Sequence, residues 1–331
     1  MPQGKSSLPV ARVRFASFVL GCSVIAILLG ALTSARLMSA PVPVRPADAS
    51  SKPLRVMAWD GSSPDAEKAL HLSGVRQGCS DPPQSCMNVA NSESHRGLTV
   101  FLSILLKPET VAYGAEFGQL SRNNPRVEEI GIDDFVSQYE KLWQAKGSNA
   151  PAMLDSMIAG VKSANPNLHF GITLYEDELQ RDRDYLTDPK LSASTRGKID
   201  YVHFYLHYRT NSQKYADYLS QAKSLFPNAQ MIAGVYAYDR ISYLPCAPRG
   251  NPCSVQEEMS GFEGQLDAAI SLLKNGTVSW IEFFPGFFGR DDQWPDWSEP
   301  RICAPSRRKE CIDNTKQMRA VVADKLKQLG G

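Results

Sequence analysis

The chain has 331 residues, 43% of them apolar and 21% charged, which is ordinary for a globular protein and enough for one barrel of roughly 250 residues plus extensions. Its formal net charge is +1, and Lys5, Arg12, Arg14 and Arg36 all precede Pro41 in a stretch without acids, so the remainder is slightly acidic. That balance gives no electrostatic footprint for a nucleic-acid partner.

Phe15 to Leu32 is an uncharged, mostly apolar run of 18 residues behind Arg12 and Arg14, the pattern of a signal sequence or of a single N-terminal membrane anchor. Thr33-Ser34-Ala35 and Met38-Ser39-Ala40 are candidate cleavage sites. Val19 to Cys22 faintly matches a lipoprotein box, but the longest apolar stretch follows Cys22 instead of preceding it. Residues 1–40 are therefore read as a signal or anchor, 41–53 as a Pro-, Ala- and Ser-rich linker, and 54–331 as one domain. That domain is expected to be exported to the periplasm or cell exterior, with membrane contact only through residues 15–35.

Arg55 to Asp60 reads as a first strand, followed by a loop-like stretch from Gly61 to Arg96. Leu98 to Leu106 is nearly continuously apolar, as in a strand covered on both faces. Thr110 to Asn123 is weakly helical. Strands are predicted at Val127–Phe135, His169–Glu178, Ile199–Arg209, Gln230–Asp239 and Val278–Gly286, each ending in polar or charged residues. Helical stripes lie between and after them: Pro151 to Ala164, a helix capped by Ser212, Gln256 to Lys274, and a last one through Met318, Val322, Leu326 and Leu329. Alternating strands and helices argue for a parallel α/β sheet. Seven strands and no eighth are legible, and no Gly-rich phosphate loop appears. A (β/α)8 TIM-type barrel with one atypical or missing strand fits this order, with its chemistry where the strands end.

Besides Cys22 the cysteines form three local pairs, Cys79/Cys86, Cys246/Cys253 and Cys303/Cys311. In an exported chain these are predicted disulfides in loops after the first, GVYAYD and WIEFFPG strands. A metal role for them has no C-x-x-C and no nearby histidine to support it.

Strand side chains alternate between two faces. In Ile199 to Arg209, Val202, Phe204 and Leu206 form the apolar outer face, and Tyr201, His203, Tyr205, His207 and Arg209 the inner one. The same division sends Gly131 and Asp133, then Gly171, Thr173, Tyr175 and Asp177, then Gly234, Tyr236 and Tyr238, then Trp280 and Glu282 inward. Strand ends can splay, which keeps Asp134, Glu176, Glu178 and Asp239 as candidates, and Asp60 ends the first strand. A purely structural barrel interior would be mostly Val, Ile and Leu.

Carboxylates beside aromatic rings suit glycosidic-bond hydrolysis: one acid protonates the leaving oxygen and the other attacks carbon or activates water. The candidate catalytic acids are Asp133, Asp134, Glu176 and Glu282, with Glu282 foremost because an acid between Trp280 and Phe284 has no packing role. Candidate sugar contacts are Asp60, Tyr175, Asp177, His203, Tyr205, His207, Arg209, Tyr238, Asp239, Trp280 and Trp294. His203 and His207 are four residues apart on a strand, about 13 Å, so they cannot share one metal ion. No metal or other cofactor is expected.

The order IGIDDF, NPNLHFGITLYEDEL, IDYVHFYLHYR resembles a group of bacterial glycoside-hydrolase-like (β/α)8 proteins. The likeness spans about Leu98 to Gly286, strongest at Gly131 to Phe135, and implies the barrel and a carbohydrate substrate or ligand. The tail Tyr175-Glu176-Asp177-Glu178 differs from the Asn-Glu ending of many glycosidase acid strands, and no D-x-x-D-x-D-x-E strand is present. Three functions follow from these residues: a glycoside hydrolase, a non-catalytic saccharide-binding barrel serving the envelope or exopolysaccharide, and a metal-dependent hydrolase built on Asp133, Asp134 and one histidine.

Overall fold

The computed structural model describes residues 55–59, 64–79, 82–236, 255–284 and 308–328. Eight parallel strands close into a barrel in chain order: β1 (Val56–Trp59), β2 (Gly74–Cys79), β3 (Thr99–Ile104), β4 (Val127–Ile132), β5 (His169–Tyr175), β6 (Tyr201–Tyr205), β7 (Gln230–Tyr236) and β8 (Trp280–Phe284). β8 closes on β1 with Glu282 opposite Met57. No described helix is long and apolar enough to cross a membrane, and the run Phe15–Leu32 lies outside the described residues.

The eighth strand is β2, inside the stretch expected to be loop, and the helix Pro83–His95 follows it there. Its sequence, GVRQGC, hides the strand: the inner positions are Gly74, Arg76 and Gly78, so no apolar alternation shows. The disulfide Cys79–Cys86 therefore joins the end of β2 to that helix, not to the loop after β1. Ser212 does not cap the next helix either. It lies in a 3-10 turn, Arg209–Lys214, and the α-helix starts at Tyr215.

Elsewhere the alternation organises the packing. Ile130, Ile132, Ile172, Leu174, Val202, Phe204, Ile281 and Phe283 face the helices in one continuous apolar layer. Met57, Phe101, Tyr201, Ile232 and Trp280 fill the lower barrel interior as a separate cluster. Helix stripes such as Leu154, Met157, Ile158 and Val161 on Ala150–Ala164 cover the strands. Burial of one such side chain contributes roughly 1.5–3 kcal/mol, so the outer layer holds the barrel while its interior is left free to be polar.

Candidate functional site

Above the apolar floor the barrel axis carries charge. Arg76 on β2, Glu129 on β4, His203 on β6 and Glu282 on β8 are all fully buried, one from each even-numbered strand. Such a layer of four side chains from alternate strands is the usual filling of this barrel, but with branched aliphatics. Arg76 Nη1 donates to both Glu282 oxygens at 3.3 and 3.4 Å, and Nη2 to Thr173 at 2.6 Å and Ser103 at 3.2 Å. His203 bridges the acids, Nδ1 at 2.6 Å from Glu282 and Nε2 at 2.9 Å from Glu129. Burial pushes Glu282 up, but Arg76 and His203 outweigh it and hold the carboxyl below its ordinary value.

The glycines of β4 and β5 make room for Glu129. A Cβ on Gly131 or Gly171 would lie 2.2 Å from its Oε1, so both inner positions must lack a side chain.

One layer higher, at the strand C-termini, a pocket of about 150 Å³ opens. Its walls are Trp59, Asp133, Asp134, Thr173, Tyr175, Tyr205, Tyr236 and Phe284. The five rings touch in a chain. Tyr175–Tyr205, Tyr205–Tyr236, Tyr236–Phe284 and Trp59–Phe284 have centroids 6.2, 5.1, 5.9 and 5.3 Å apart. Trp59 packs against the ion layer, with Arg76 4.7 Å from its ring centroid and its Nε1 donating to the Tyr205 hydroxyl at 3.2 Å.

Asp133 and Asp134 are consecutive, so regular alternation would point them to opposite faces. Asp134 instead has φ 45° and ψ 49°, the left-handed region, which Asp tolerates better than most residues. That kink brings the second carboxylate to the same pocket as the first. Asp134 Oδ1 accepts from the Tyr175 hydroxyl at 2.5 Å, and burial holds the Tyr175 hydroxyl well above its ordinary pKa, keeping it a donor. Asp133 lies 3.8 Å from Arg76 with its side chain 30% exposed. Burial pushes it up, and Arg76, though opposing, does not cancel that effect.

Several expected site residues take other positions. Glu282 belongs to the sealed ion layer, below the pocket wall. His203 is sealed with it and cannot reach a sugar hydroxyl. Glu176 is 3% exposed and accepts from the backbone N–H of His207 and Tyr208 at 2.7 and 2.9 Å, so its carboxylate organises the loop after β6. Trp280 packs on Phe101 in the barrel floor, 4% exposed, where no sugar can stack. Arg209 is buried and donates to the Tyr236 carbonyl at 2.9 Å. Asp177 and His207 pair at 3.0 Å beside the pocket, His207 stacking on Tyr175 at 4.0 Å. Asp60, Tyr238, Asp239, Trp294, Cys246, Cys253, Cys303 and the Cys311 side chain lie outside the described residues.

Among the described residues one trio, Glu176, Asp177 and His207, has metal-ligand atoms within 4.8 Å of one another. Its groups already satisfy each other: Glu176 holds two backbone N–H groups, and Asp177 holds His207 and Arg181. No described histidine joins Asp133 and Asp134 in such a cluster, so the third functional reading finds no ligand set here.

Arg76, Glu129, Trp59 and Phe284 are the residues sequence reasoning missed. Trp59 stands two residues beyond Met57 in the first strand, and Glu129 two before Gly131, so both were reachable by the alternation rule.

No family model matches the sequence, and no curated protein matches it. Its fold is similar to that of solved structures. They include an exo-β-1,4-mannosidase from Opitutaceae bacterium strain TAV5 (9% identity, 84% of this chain and 60% of that one, TM-score 0.53). A GH10 endoxylanase from a sugarcane soil metagenome aligns over 81% of this chain and 97% of its own, at 8% identity and TM-score 0.54. GH5_18 from Streptomyces cattleya, in complex with GlcNAc, aligns over 80% and 73% at 14% identity and TM-score 0.51. The chain spans less than half, 43%, of a β-D-glucuronidase from Dictyoglomus thermophilum. At these identities the likeness establishes one thing, a (β/α)8 barrel of the kind seen in glycoside hydrolase structures.

Proposed function

We propose that this chain is an exported carbohydrate-active barrel protein that hydrolyses a glycosidic bond in the pocket above β4 and β5. The observation that carries the reading is the junction of two carboxylates and five aromatic rings at the strand C-termini. Rings offer flat apolar faces to the C–H faces of a sugar. Asp133, whose carboxyl burial lifts above its ordinary value, is the proton donor to the leaving oxygen, the role a carboxyl of raised pKa suits. Asp134, steadied by Tyr175, is the partner carboxylate that attacks carbon or activates water. Export rests on the N-terminal apolar run and on the disulfide Cys79–Cys86, a bond of oxidising compartments.

A non-catalytic saccharide-binding barrel is the second reading. It is favoured by one fact: both pocket acids come from the end of one strand, and no described acid faces them from the opposite wall. A glycan-library screen of the protein for binding and cleavage together separates the two. The hydrolase reading expects new reducing ends with wild type, and an Asp133→Asn variant that binds the same glycan while cleaving at least about 100-fold more slowly. Binding without cleavage by wild type would leave the second reading.

A further inference from the structure

The donor and acceptor inventory of the pocket is one-sided. Among the described residues its eight walls include two carboxyl groups and no lysine, arginine or histidine. The single side-chain N–H among them, Trp59 Nε1, is spent on the Tyr205 hydroxyl. Tyr175 spends its hydroxyl proton on Asp134. A uronic acid would meet the pocket's acids with no cation among the described walls to pair with. An acetamide carbonyl would find no free side-chain N–H among the described residues, only a hydroxyl donor such as Tyr205.

The charge beneath offers only part of an answer. In the even-strand layer Arg76 and His203 stand against Glu282 and Glu129, so that layer is balanced within itself. The Trp59 ring lies against the Arg76 guanidinium, 4.7 Å away. Arg76 also lies 3.8 Å from Asp133, so two cations answer four carboxyl groups in and just above the layer, and the excess of acid at Asp134 is left to be balanced by whatever enters. The walls facing it are a linked chain of five rings, and aromatic faces attract cations, most strongly where water is excluded.

We infer that the pocket takes a sugar carrying a free ammonium group, a 2-amino-2-deoxy sugar residue, in preference to its neutral, N-acetylated or acidic counterparts. The three ammonium N–H groups match an acceptor-rich wall, the charge matches the Asp134 carboxylate, and the ring lies on the aromatic faces. The pocket's 150 Å³ is below the roughly 300–1,000 Å³ of sites for drug-sized ligands, so one ring is held at a time. This inference rests on the sugar-pocket reading above.

The test titrates the full chain with glucosamine, galactosamine and mannosamine, each beside its N-acetyl form and its parent hexose, by saturation-transfer NMR and calorimetry. At least one amino sugar is expected to bind tenfold or more tightly than both of its counterparts. Asp134→Asn, which keeps a side chain tolerant of the left-handed backbone, is expected to erase that preference, and Asp133→Asn to do the same should the first variant not fold. Asp217→Asn, an exposed acid on the helix Tyr215–Leu225, is expected to keep it. Equal or tighter binding of the N-acetyl or parent forms overturns the amino-sugar preference and leaves the sugar pocket standing. No binding of any sugar, in this set or in the glycan library, overturns both.

Discussion

His203 Nδ1 lies 2.6 Å from Glu282 Oε2, and neither side chain reaches solvent. Because Nε2 faces Glu129 on the other side, both ring nitrogens are placed to donate to a carboxylate, the arrangement that favours an imidazolium. Replacing Glu282 by Gln leaves Arg76 and His203 with Glu129 as their only anion in the layer. The expected cost is about 3–5 kcal/mol of unfolding free energy, the usual consequence of breaking a buried ion pair from one side. Urea denaturation measures it, and a variant as stable as wild type would refute the ion-layer account of Glu282.

The same pair sets a pH optimum for stability. Glu282 is held below its ordinary 4.5, so its contribution is complete above about 4.5 and is lost as pH falls through the folded value. Burial and Arg76 push His203 down, but Glu129 and Glu282 outweigh them and raise it above 6.5. Its contribution is complete below about 6.5 and is lost as pH rises through the folded value. The urea midpoint is therefore expected to be highest between these limits and to fall on both sides. His203→Gln is expected to flatten the alkaline fall, and an unchanged alkaline limb in that variant would count against the imidazolium.

Glu178 works in the opposite sense. Burial lifts its carboxyl to about 9, against the Tyr175 backbone N–H that lowers it. The folded state then holds a proton that the unfolded chain releases above about 4.5, so the group costs stability as pH climbs from there toward 9. Gln keeps an acceptor for the Tyr175 N–H, now 3.0 Å from the carboxyl, and does not titrate. Glu178→Gln is expected to match wild type at pH 4 and to exceed it at pH 8 by at least about 1 kcal/mol. Parallel pH profiles for the two proteins would show that Glu178 ionises normally.

Gly171→Ala puts a methyl 2.2 Å from Glu129 Oε1. The carboxylate would have to leave His203, so a loss of more than about 3 kcal/mol is expected. Gly197→Ala, whose methyl would meet nothing nearer than 3.4 Å, is the control and should fall within about 0.5 kcal/mol of wild type. Equal melting of the two variants would mean that Glu129 does not need the glycine cradle.

What the sequence disclosed followed from local rules. Seven strands, their inner faces and the acids at their ends come from a period of two, which each segment carries by itself. The eighth strand broke that rule because Arg76 and two glycines occupy its inner face. An arginine is acceptable there only because Glu282, 206 residues away, answers it. Glu282 was legible as an inward acid for the same local reason, but whether it faces a cleft or a cation is decided by β2 and β6. Asp134 reached the pocket through a single left-handed residue, and no side-chain pattern announces a backbone angle.

The charged layer also bears on how the barrel assembles. Arg76 and Glu129 belong to the first four strands, His203 and Glu282 to the last four. All three direct ties, Arg76 to Glu282 and His203 to each glutamate, draw on the second half, and no direct bond joins Arg76 to Glu129 within the first. An isolated N-terminal half-barrel would leave Glu129 without its cation and Arg76 without its nearest carboxylate. Such a half gains little by forming alone, so the molecule is built to close its two halves in one cooperative step, and splitting the gene at the midpoint should yield fragments that fold only when mixed.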